Sequence, residues 1–177
     1  AYARNGGAWN EPGITSSDAQ ASFAATMFDS TTLGVVLNSD LPTEYTTFNG
    51  DAVNPSDVLI KYTYGGDADL NGIINSVDYF QIDRGFLDNY TGYVNGDFNY
   101  DGTANRQDYF IIDSNFIDQS GQLAASEVLA HAAEFGPSYL SEFTSSQLAA
   151  IGVPEPTSLA LLGLGVVGLL ARRKRKA

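Results

Sequence analysis

Two acidic stretches that share one spacing constrain this chain more than any other feature of its sequence. The first reads GDADLNGIINSVD (residues 66–78), and the second reads GDFNYDGTANRQD (residues 96–108). The similarity continues into DYFQIDRGFLD and DYFIIDSNFID, so that about half of the aligned positions are identical. The chain therefore contains an internal duplication, and its fold has to accommodate two copies of one unit.

Each copy places oxygen-bearing side chains at positions 1, 3, 5, 9 and 12 of a loop, with glycine at position 6, where the chain turns sharply. Asp, Asn and Gly also form turns on their own, but that explanation weakens when the spacing occurs twice. Crowded carboxylates repel one another, and a hard cation relieves the repulsion. The spacing is that of an EF-hand loop, in which position 7 adds a backbone carbonyl. We predict two Ca²⁺ ions, one bound by Asp67, Asp69, Asn71, Ile73, Asn75 and Asp78, the other by Asp97, Asn99, Asp101, Thr103, Asn105 and Asp108.

An amphipathic segment follows each loop. Apolar residues recur at i, i+3 and i+7, which predicts one helix per loop with a stripe made of Tyr79, Ile82 and Phe86 in the first and Tyr109, Ile112 and Phe116 in the second. No comparable helix precedes either loop, since KYTYGGD is typical of a strand entering a turn and TGYVNGD of a short connector. Asp78 and Asp108 also replace the longer glutamate that is usual at position 12.

A pair of loop-helix units with aspartate at position 12 and no incoming helix resembles the dockerin family, over residues 66–118. The resemblance implies two Ca²⁺ sites and two antiparallel helices packed by their apolar stripes. It also implies an attachment role in polysaccharide-degrading systems, with a cohesin-like protein or an envelope polysaccharide as partner. Cohesin-binding dockerins commonly carry small hydroxyl residues at positions 10 and 11, where this chain has Ser76 and Val77, then Arg106 and Gln107. The chain therefore departs from the family at that binding face.

The end of the chain, VPEPTSLALLGLGVVGLLARRKRKA, carries three signals in order. The motif Val153, Pro154, Glu155 and Pro156 comes first, and an apolar run over 159–171 follows it. We predict a membrane helix over this run, although it is shorter than the roughly twenty residues of a comfortable bilayer span. The run is followed by a basic cytoplasmic stop, which would leave the bulk of the protein facing outward and consists of Arg172, Arg173, Lys174, Arg175 and Lys176.

This order of signals closely resembles the PEP-CTERM protein-sorting signal of Gram-negative and planctomycete bacteria. The resemblance implies an exported protein that the tail holds in the bacterial inner membrane. It further implies that exosortase, a membrane transpeptidase, cleaves near the Pro-Glu-Pro motif, after which the protein reaches the cell surface. A plain tail anchor and a buried helix with a solvated basic end are the alternatives.

The net charge of −12 combines an acidic body with a basic tail. Residues before 172 carry 4 basic and 21 acidic side chains, a charge of −17, whereas residues 172–176 carry +5. An acidic body repels a phosphate backbone, so no nucleic-acid partner is expected. The absence of cysteine excludes thiolate metal sites and cysteine nucleophiles. Gly163, Gly165 and Gly168 match GxGxxG, but no strand precedes them, and we interpret them as small residues of the membrane helix.

Residues 1–65 are predicted to form a β-rich segment at the end of an upstream domain. TTLGVVLN and SDVLIKYTYG are typical of strands, and Ser16 or Ser17 could cap a short helix over DAQASFAATMF. Trp9 could belong to a sugar-binding platform, but an aromatic residue beside glycine turns more often belongs to a core. The first residues include neither a methionine nor an export signal, which predicts either a longer precursor or a start that has been misassigned.

Residues 119–152 are predicted to form a helical spacer. The pattern predicts a helix over about 123–135, a break at Gly136 and Pro137, and shorter helical turns after it. His131 lies among alanine and leucine residues, and the sequence identifies no partner that could orient it for catalysis. We therefore expect a structural or solvated histidine.

Together these patterns predict an α+β chain with a β-rich N-terminal segment, a dockerin-like pair of loop-helix units, a helical spacer and a C-terminal membrane helix within the sorting signal over 153–177. The predicted function is that of a non-catalytic calcium-binding module of an exported cell-envelope protein. The alternative is the C-terminal part of an extracellular glycoside hydrolase or lyase whose catalytic domain lies upstream, because paired carboxylates can also hydrolyse glycosides. The carboxylates here surround a common centre, which suits a cation better than a sugar flanked on two faces.

Overall fold

The computed structural model describes residues 3–153, which combine helices with two small antiparallel sheets. This mixture agrees with the predicted α+β class. Residues up to Gln119 and residues from Ser120 form two compact units. Within residues 3–153, none of the helices has both the length and the apolar character needed to span a bilayer. The membrane helix predicted over 159–171 lies outside the described residues.

The first unit opens with a short 3-10 helix, Asn5–Gly7, and helix α1, Ser17–Thr26. Ser16 caps α1, because its side-chain oxygen accepts a hydrogen bond of 3.1 Å from the backbone N–H of Ala19. Met27 then adopts a left-handed conformation and ends the helix. The predicted helix and one of its two predicted caps are therefore confirmed.

Strands β1 (Thr31–Leu37) and β4 (Val58–Tyr64) pair antiparallel along their whole length and form a two-stranded ribbon. Between them lie a 3-10 helix, Asn38–Asp40, and a two-residue ladder of β2 (Thr47–Phe48) with β3 (Asp51–Ala52). The two longer strands coincide with the two segments predicted from β-rich sequence. Their pairing across a 20-residue connection (residues 38–57) is a tertiary feature that no local pattern indicates.

Trp9 lies in the core of this unit. Its side chain is 6% exposed and belongs to a cluster of buried residues with Ala19 of α1 and Leu33 of β1, against which Ile60 packs. The core interpretation of Trp9 is therefore confirmed.

Helix α2 (Ser76–Asp88) follows the first acidic loop, and helix α3 (Arg106–Ser120) follows the second. No α-helix enters either loop: β4 ends just before the first, and a 3-10 helix, Tyr93–Asn95, precedes the second. The predicted loop-helix order is therefore present in both copies.

The two copies contact each other reciprocally. The Tyr79 hydroxyl of α2 donates a 2.8 Å hydrogen bond to Asp113 of α3, and the Tyr109 hydroxyl of α3 donates a 2.7 Å bond to Asp83 of α2. Each tyrosine ring also meets a phenylalanine of the other helix edge-on, with centroid distances of 5.6 Å for Tyr79–Phe116 and 5.7 Å for Phe86–Tyr109. The predicted apolar stripes thus pack against each other with twofold-related contacts.

Two equivalent glycines permit this close approach. A Cβ at Gly66 would lie 2.9 Å from the Cα of Ile112, and a Cβ at Gly96 would lie 2.6 Å from the Cα of Ile82. Each glycine also has a positive φ, of 105° and 90° respectively. A side chain at either position would therefore combine backbone strain with overlap against the helix of the other copy.

The ribbon and the duplicated loops belong to the same compact unit. Gly34 of β1 lies so close to Leu70 and Tyr93 that a Cβ there would overlap both side chains. The Tyr100 hydroxyl donates a 2.6 Å hydrogen bond to the carbonyl of Leu33. Residues 3–65, which sequence patterns separate from the loops, thus belong to one compact unit with residues 66–119.

The second unit is helical over its described residues. A 3-10 helix, Gly121–Ala124, runs into α4 (Ala125–Phe135), which ends at Gly136, a residue with a positive φ of 89°. A 3-10 helix, Leu140–Glu142, and α5 (Ser145–Ala150) follow. His131 is buried, with its ring 6.4 Å from that of Tyr139. The predicted helix and break are present, and the buried position of His131 among aromatic rings agrees with the expected structural histidine.

We predict that Gly96→Ala destabilises the first unit much more than Gly6→Ala. Both glycines have left-handed helical backbones, with φ and ψ of 90° and 6° at Gly96 and 64° and 22° at Gly6, but a Cβ at Gly6 meets nothing within 4 Å. Gly6→Ala should therefore cost only the backbone strain, about 1 kcal/mol, whereas Gly96→Ala should cost about 1–3 kcal/mol more through overlap with Ile82. Urea unfolding followed by the fluorescence of the single tryptophan, Trp9, measures both. Equal losses in the two variants would contradict the close packing of the two copies.

Candidate metal centre

Three carboxylates converge in the first loop. Ligand oxygens of Asp67, Asp69 and Asp78, at positions 1, 3 and 12, all lie within 4.8 Å of one another. Asp67 and Asp78 are fully buried. Within residues 3–153, these three form the one group of acidic or histidine side chains that meets this distance. The structure thus brings together residues that the sequence places up to eleven positions apart.

The position-12 aspartate closes each loop. Asp78 accepts hydrogen bonds from the backbone N–H groups of Ala68 (2.8 Å) and Asn75 (2.9 Å), at positions 2 and 9. Asp108 does the same in the second loop, accepting from Phe98 (2.9 Å) and Asn105 (3.0 Å). One carboxylate therefore ties the start of each loop to the first turn of the following helix.

The position-1 aspartate has the same arrangement in both loops. One oxygen of Asp67 accepts a 2.9 Å hydrogen bond from the N–H of Gly72, and one oxygen of Asp97 accepts a 3.2 Å bond from the N–H of Gly102. The other oxygen, Oδ1 in each case, is buried and has no hydrogen-bond partner within residues 3–153. A buried carboxylate oxygen without a donor is costly, and a bound cation removes that cost.

Side chains at positions 3, 5 and 9 stabilise the turns between these aspartates. Each side-chain oxygen accepts a hydrogen bond from the backbone N–H two residues later. The bonds are 3.0, 2.8 and 2.8 Å long for Asp69, Asn71 and Asn75, and 2.7, 3.0 and 2.8 Å long for Asn99, Asp101 and Asn105. The two loops therefore make the same backbone hydrogen bonds at every polar position, although their Asp and Asn residues are distributed differently.

Burial raises the pKa of the closing carboxylates. Desolvation, opposed by hydrogen bonds from the backbone, raises the pKa of Asp78 and that of Asp108 to about 7. Desolvation also raises the pKa of Asp67 to about 6 and raises the pKa of Asp97. The protein alone thus does not compensate these negative charges fully at neutral pH.

Asp101, at position 5 of the second loop, differs from these groups. Desolvation acts to raise its pKa, but hydrogen bonds from Asn99, Thr103 and Asn105 outweigh that effect, so the pKa is lowered. Asn99 and Asn105 donate their side-chain amides to it at 3.0 and 3.2 Å. The charge of Asp101 is therefore already satisfied within the loop.

The donor set fits a hard divalent cation. All predicted ligand atoms are carboxylate, amide or carbonyl oxygens, which suit Ca²⁺, and neither sulfur nor imidazole contributes. The backbone carbonyls predicted at position 7 belong to Ile73 and Thr103, and the latter accepts a 3.4 Å hydrogen bond from the Asn105 amide. The orphaned oxygens of Asp67 and Asp97 are the observation that most favours a cation in each loop.

Sequence patterns missed three side chains that hold the first loop from outside. Thr63 donates its hydroxyl to Asp67, the Lys61 ammonium donates a 2.6 Å bond to the carbonyl of Leu70, and the Tyr45 hydroxyl donates a 3.1 Å bond to the carbonyl of Asp69. Neither the sequence of β4 nor the segment that holds Tyr45 gives a sign of these contacts, because they depend on how distant segments pack on the loop.

Residues 152–176 match the PEP-CTERM protein-sorting motif. The match includes the predicted motif that begins at Val153, the apolar run over 159–171 and the basic stop over 172–176. Apart from Gly152 and Val153, these residues lie outside the described part of the structure. A PEP-CTERM signal implies an exported, envelope-associated protein that exosortase processes. The comparisons with curated proteins and with solved structures found no match.

We predict that the calcium-free protein is more stable at pH 5 than at pH 8. The folded-state pKa values of Asp67, Asp78 and Asp108 lie above the ordinary value of 3.8. At pH values between 3.8 and the folded-state pKa values, the folded protein binds more protons than the unfolded chain. The free energy of unfolding therefore falls as the pH rises through this range. We expect a loss of at least ~2 kcal/mol between pH 5 and pH 8, measured by urea unfolding in EDTA with Trp9 fluorescence.

The matched control for this pH dependence is the double variant Asp78→Asn, Asp108→Asn. Because an amide does not titrate, the double variant should show a flatter profile than the parent protein. A stability that stays constant or rises from pH 5 to pH 8 in the parent would contradict the burial of ionised carboxylates in the loops.

Proposed function

We propose that residues 66–118 form a non-catalytic, dockerin-like module that binds two Ca²⁺ ions in an exported cell-envelope protein. The observation that carries this proposal is the pair of buried oxygens, Oδ1 of Asp67 and Oδ1 of Asp97, that have no hydrogen-bond partner within the described residues. They occur at the same position of two loops with the same hydrogen bonding. A cation at each position supplies the missing partner.

The oxygens that would hold each ion come from positions 1, 3, 5, 7, 9 and 12 of its loop. Calcium tolerates such irregular sets of carboxylate, amide and carbonyl ligands better than smaller cations do. Each loop contributes three carboxylates, so one bound Ca²⁺ lowers a local charge of −3 to −1. Charge neutralisation is therefore a direct source of stability for the loops and for the helices that they begin.

The placement of the carboxylates favours binding over hydrolysis. Glycosidases separate their two carboxyl groups across a sugar by roughly 5–9.5 Å and leave a reacting bond between them. In the first loop three carboxylates have ligand oxygens within 4.8 Å of one another, and loop N–H groups occupy several of their oxygens. Such a group suits a small ion better than a sugar, and we infer that this chain itself is not an enzyme.

Export gives a calcium-binding module a suitable environment. The PEP-CTERM match implies that the protein leaves the cytoplasm and becomes envelope-associated. Extracellular calcium modules typically bind with dissociation constants of about 10⁻⁴ to 10⁻³ M. We propose that the module folds tightly once outside and there contacts a cohesin-like protein or an envelope polysaccharide.

Calorimetric titration with Ca²⁺ after EDTA treatment should reveal two sites per chain. Asp67→Ala and Asp97→Ala should each remove one site, because each takes away the position-1 ligand of a single loop. Asp51→Ala, an identical substitution at an exposed residue of β3, is the matched control and should retain two sites. No binding heat and no thermal shift at millimolar Ca²⁺ would refute the calcium proposal.

Exosortase processing should remove the tail. In a bacterium with a working exosortase, the mature protein should end near residues 153–156 and lack residues 159–177, because a short apolar run suits temporary retention. Mass spectrometry of the C-terminal peptide from the cell envelope measures this. Replacing Pro154 and Glu155 with alanine should block cleavage. Recovery of mostly intact tail ending in ARRKRKA from the unmodified protein would indicate a plain tail anchor instead.

A further inference from the structure

The ribbon of β1 and β4 contacts the two loops unequally. At the first loop it supplies two side-chain donors, Thr63 and Lys61, and the segment between the strands supplies a third, Tyr45. These donors reach positions 1, 4 and 3 of the loop. Within residues 3–153, the ribbon makes hydrogen bonds to the second loop at position 4 alone, where the Tyr100 hydroxyl lies between the carbonyl of Leu33 (2.6 Å) and the N–H of Val35 (3.1 Å).

Thr63 makes the contact with the greatest consequence for a bound ion. Its side chain is 6% exposed, and its hydroxyl donates to Oδ2 of the fully buried Asp67. The same Oδ2 accepts the N–H of Gly72 at 2.9 Å, so two donors orient this carboxylate and leave Oδ1 without a partner. The equivalent Oδ2 of Asp97 accepts from the Gly102 N–H at 3.2 Å, and no side chain donates to it within the described residues.

The second loop also differs in its position-5 carboxylate. Asp101 accepts bonds from the side chains of Asn99, Asn105 and Thr103 at 2.9–3.2 Å, bonds that a ligand role would have to break or rearrange. In the first loop the third carboxylate is Asp69, which within the described residues accepts one side-chain bond, from the Asn71 amide at 3.0 Å. Its ligand oxygen already lies within 4.8 Å of those of Asp67 and Asp78. The first loop is therefore closer to a ready-made cation site.

We propose that Thr63 is a positioning residue for Asp67 and that the ribbon makes the first loop the tighter of the two calcium sites. The proposal rests on the proposed function of the loops. Groups that hydrogen-bond to metal ligands fix the orientation of those ligands, and removing one such group typically weakens metal binding by about 10–100-fold. The ribbon thereby contributes to the calcium affinity of the first loop, and it sets the order in which the two loops bind Ca²⁺.

The test compares the two loops one at a time in the full chain. Asp97→Ala leaves the first loop to bind Ca²⁺, and Asp67→Ala leaves the second. Calorimetry should show a dissociation constant at least about tenfold lower for the first loop than for the second. Adding Thr63→Val, which keeps the side-chain shape and removes the hydroxyl, should weaken the first loop by about tenfold and leave the second loop unchanged.

Conservative substitutions separate positioning from a general loss of structure. Thr63→Ser keeps the hydroxyl and should restore most of the affinity of the first loop. Tyr45→Phe removes only the hydroxyl that reaches Asp69, and it should weaken the first loop alone even if Thr63→Val fails to fold. Thr47→Val, the same substitution at an exposed residue of β2, should change neither loop.

The possible results have distinct meanings. A tighter first loop that Thr63→Val selectively weakens supports the inference. Two loops of equal affinity, or equal weakening of both loops by Thr63→Val and Tyr45→Phe, would overturn the inference while leaving the calcium proposal intact. Absence of binding in the unmodified chain would overturn the calcium proposal and, with it, the inference.

Discussion

Asp78 and Asp108 each use one carboxylate to close a loop and to stabilise the first turn of the helix that follows it. Each accepts backbone N–H groups from position 2 of its loop and from position 9, the residue before its helix. Desolvation raises the pKa of both to about 7, so this double role places a charge where the protein alone solvates it poorly. Each carboxylate links its loop to the helix that packs against the other copy, so the stability of this packing is expected to depend on how that charge is balanced. We propose that a cation balances this charge, because the other predicted ligand atoms in each loop are also oxygens, which suit a hard cation.

The duplication produces a symmetric interior and an asymmetric exterior. Tyr79 with Asp113 and Tyr109 with Asp83 form equivalent bonds, and Gly66 and Gly96 allow equivalent approaches to the opposite helix. The ribbon breaks this equivalence, because it is present once and makes different hydrogen bonds to the two loops. Two copies of one sequence pattern therefore have different surroundings, which is the physical basis for expecting unequal metal sites.

The proposed module and the sorting signal suit one another. The PEP-CTERM match implies that the protein becomes envelope-associated, outside the compartment in which it is made. A loop pair that needs Ca²⁺ to offset its carboxylates is most stable where that ion is abundant. The acidic body and the basic tail agree with this division, since a basic cluster favours the cytoplasmic side of the membrane. In this proposal, binding and location are functions of separate parts of the chain.

The sequence by itself determined those features that depend on neighbours close along the chain. The loop spacing, the two helices after the loops, the cap at Ser16 and the break at Gly136 are all local, so residue type and period predicted them. The sorting signal over 152–176 is likewise a linear motif. Only the tertiary structure decided that residues 3–65 join the loops in one unit and that Thr63 donates a hydrogen bond to Asp67. These contacts arise because β4 pairs with β1, 27 positions earlier at the centre of the register, and that pairing turns Thr63 and Lys61 toward the first loop. Such a pairing depends on the packing of side chains from distant segments, which no period in a single stretch of sequence encodes.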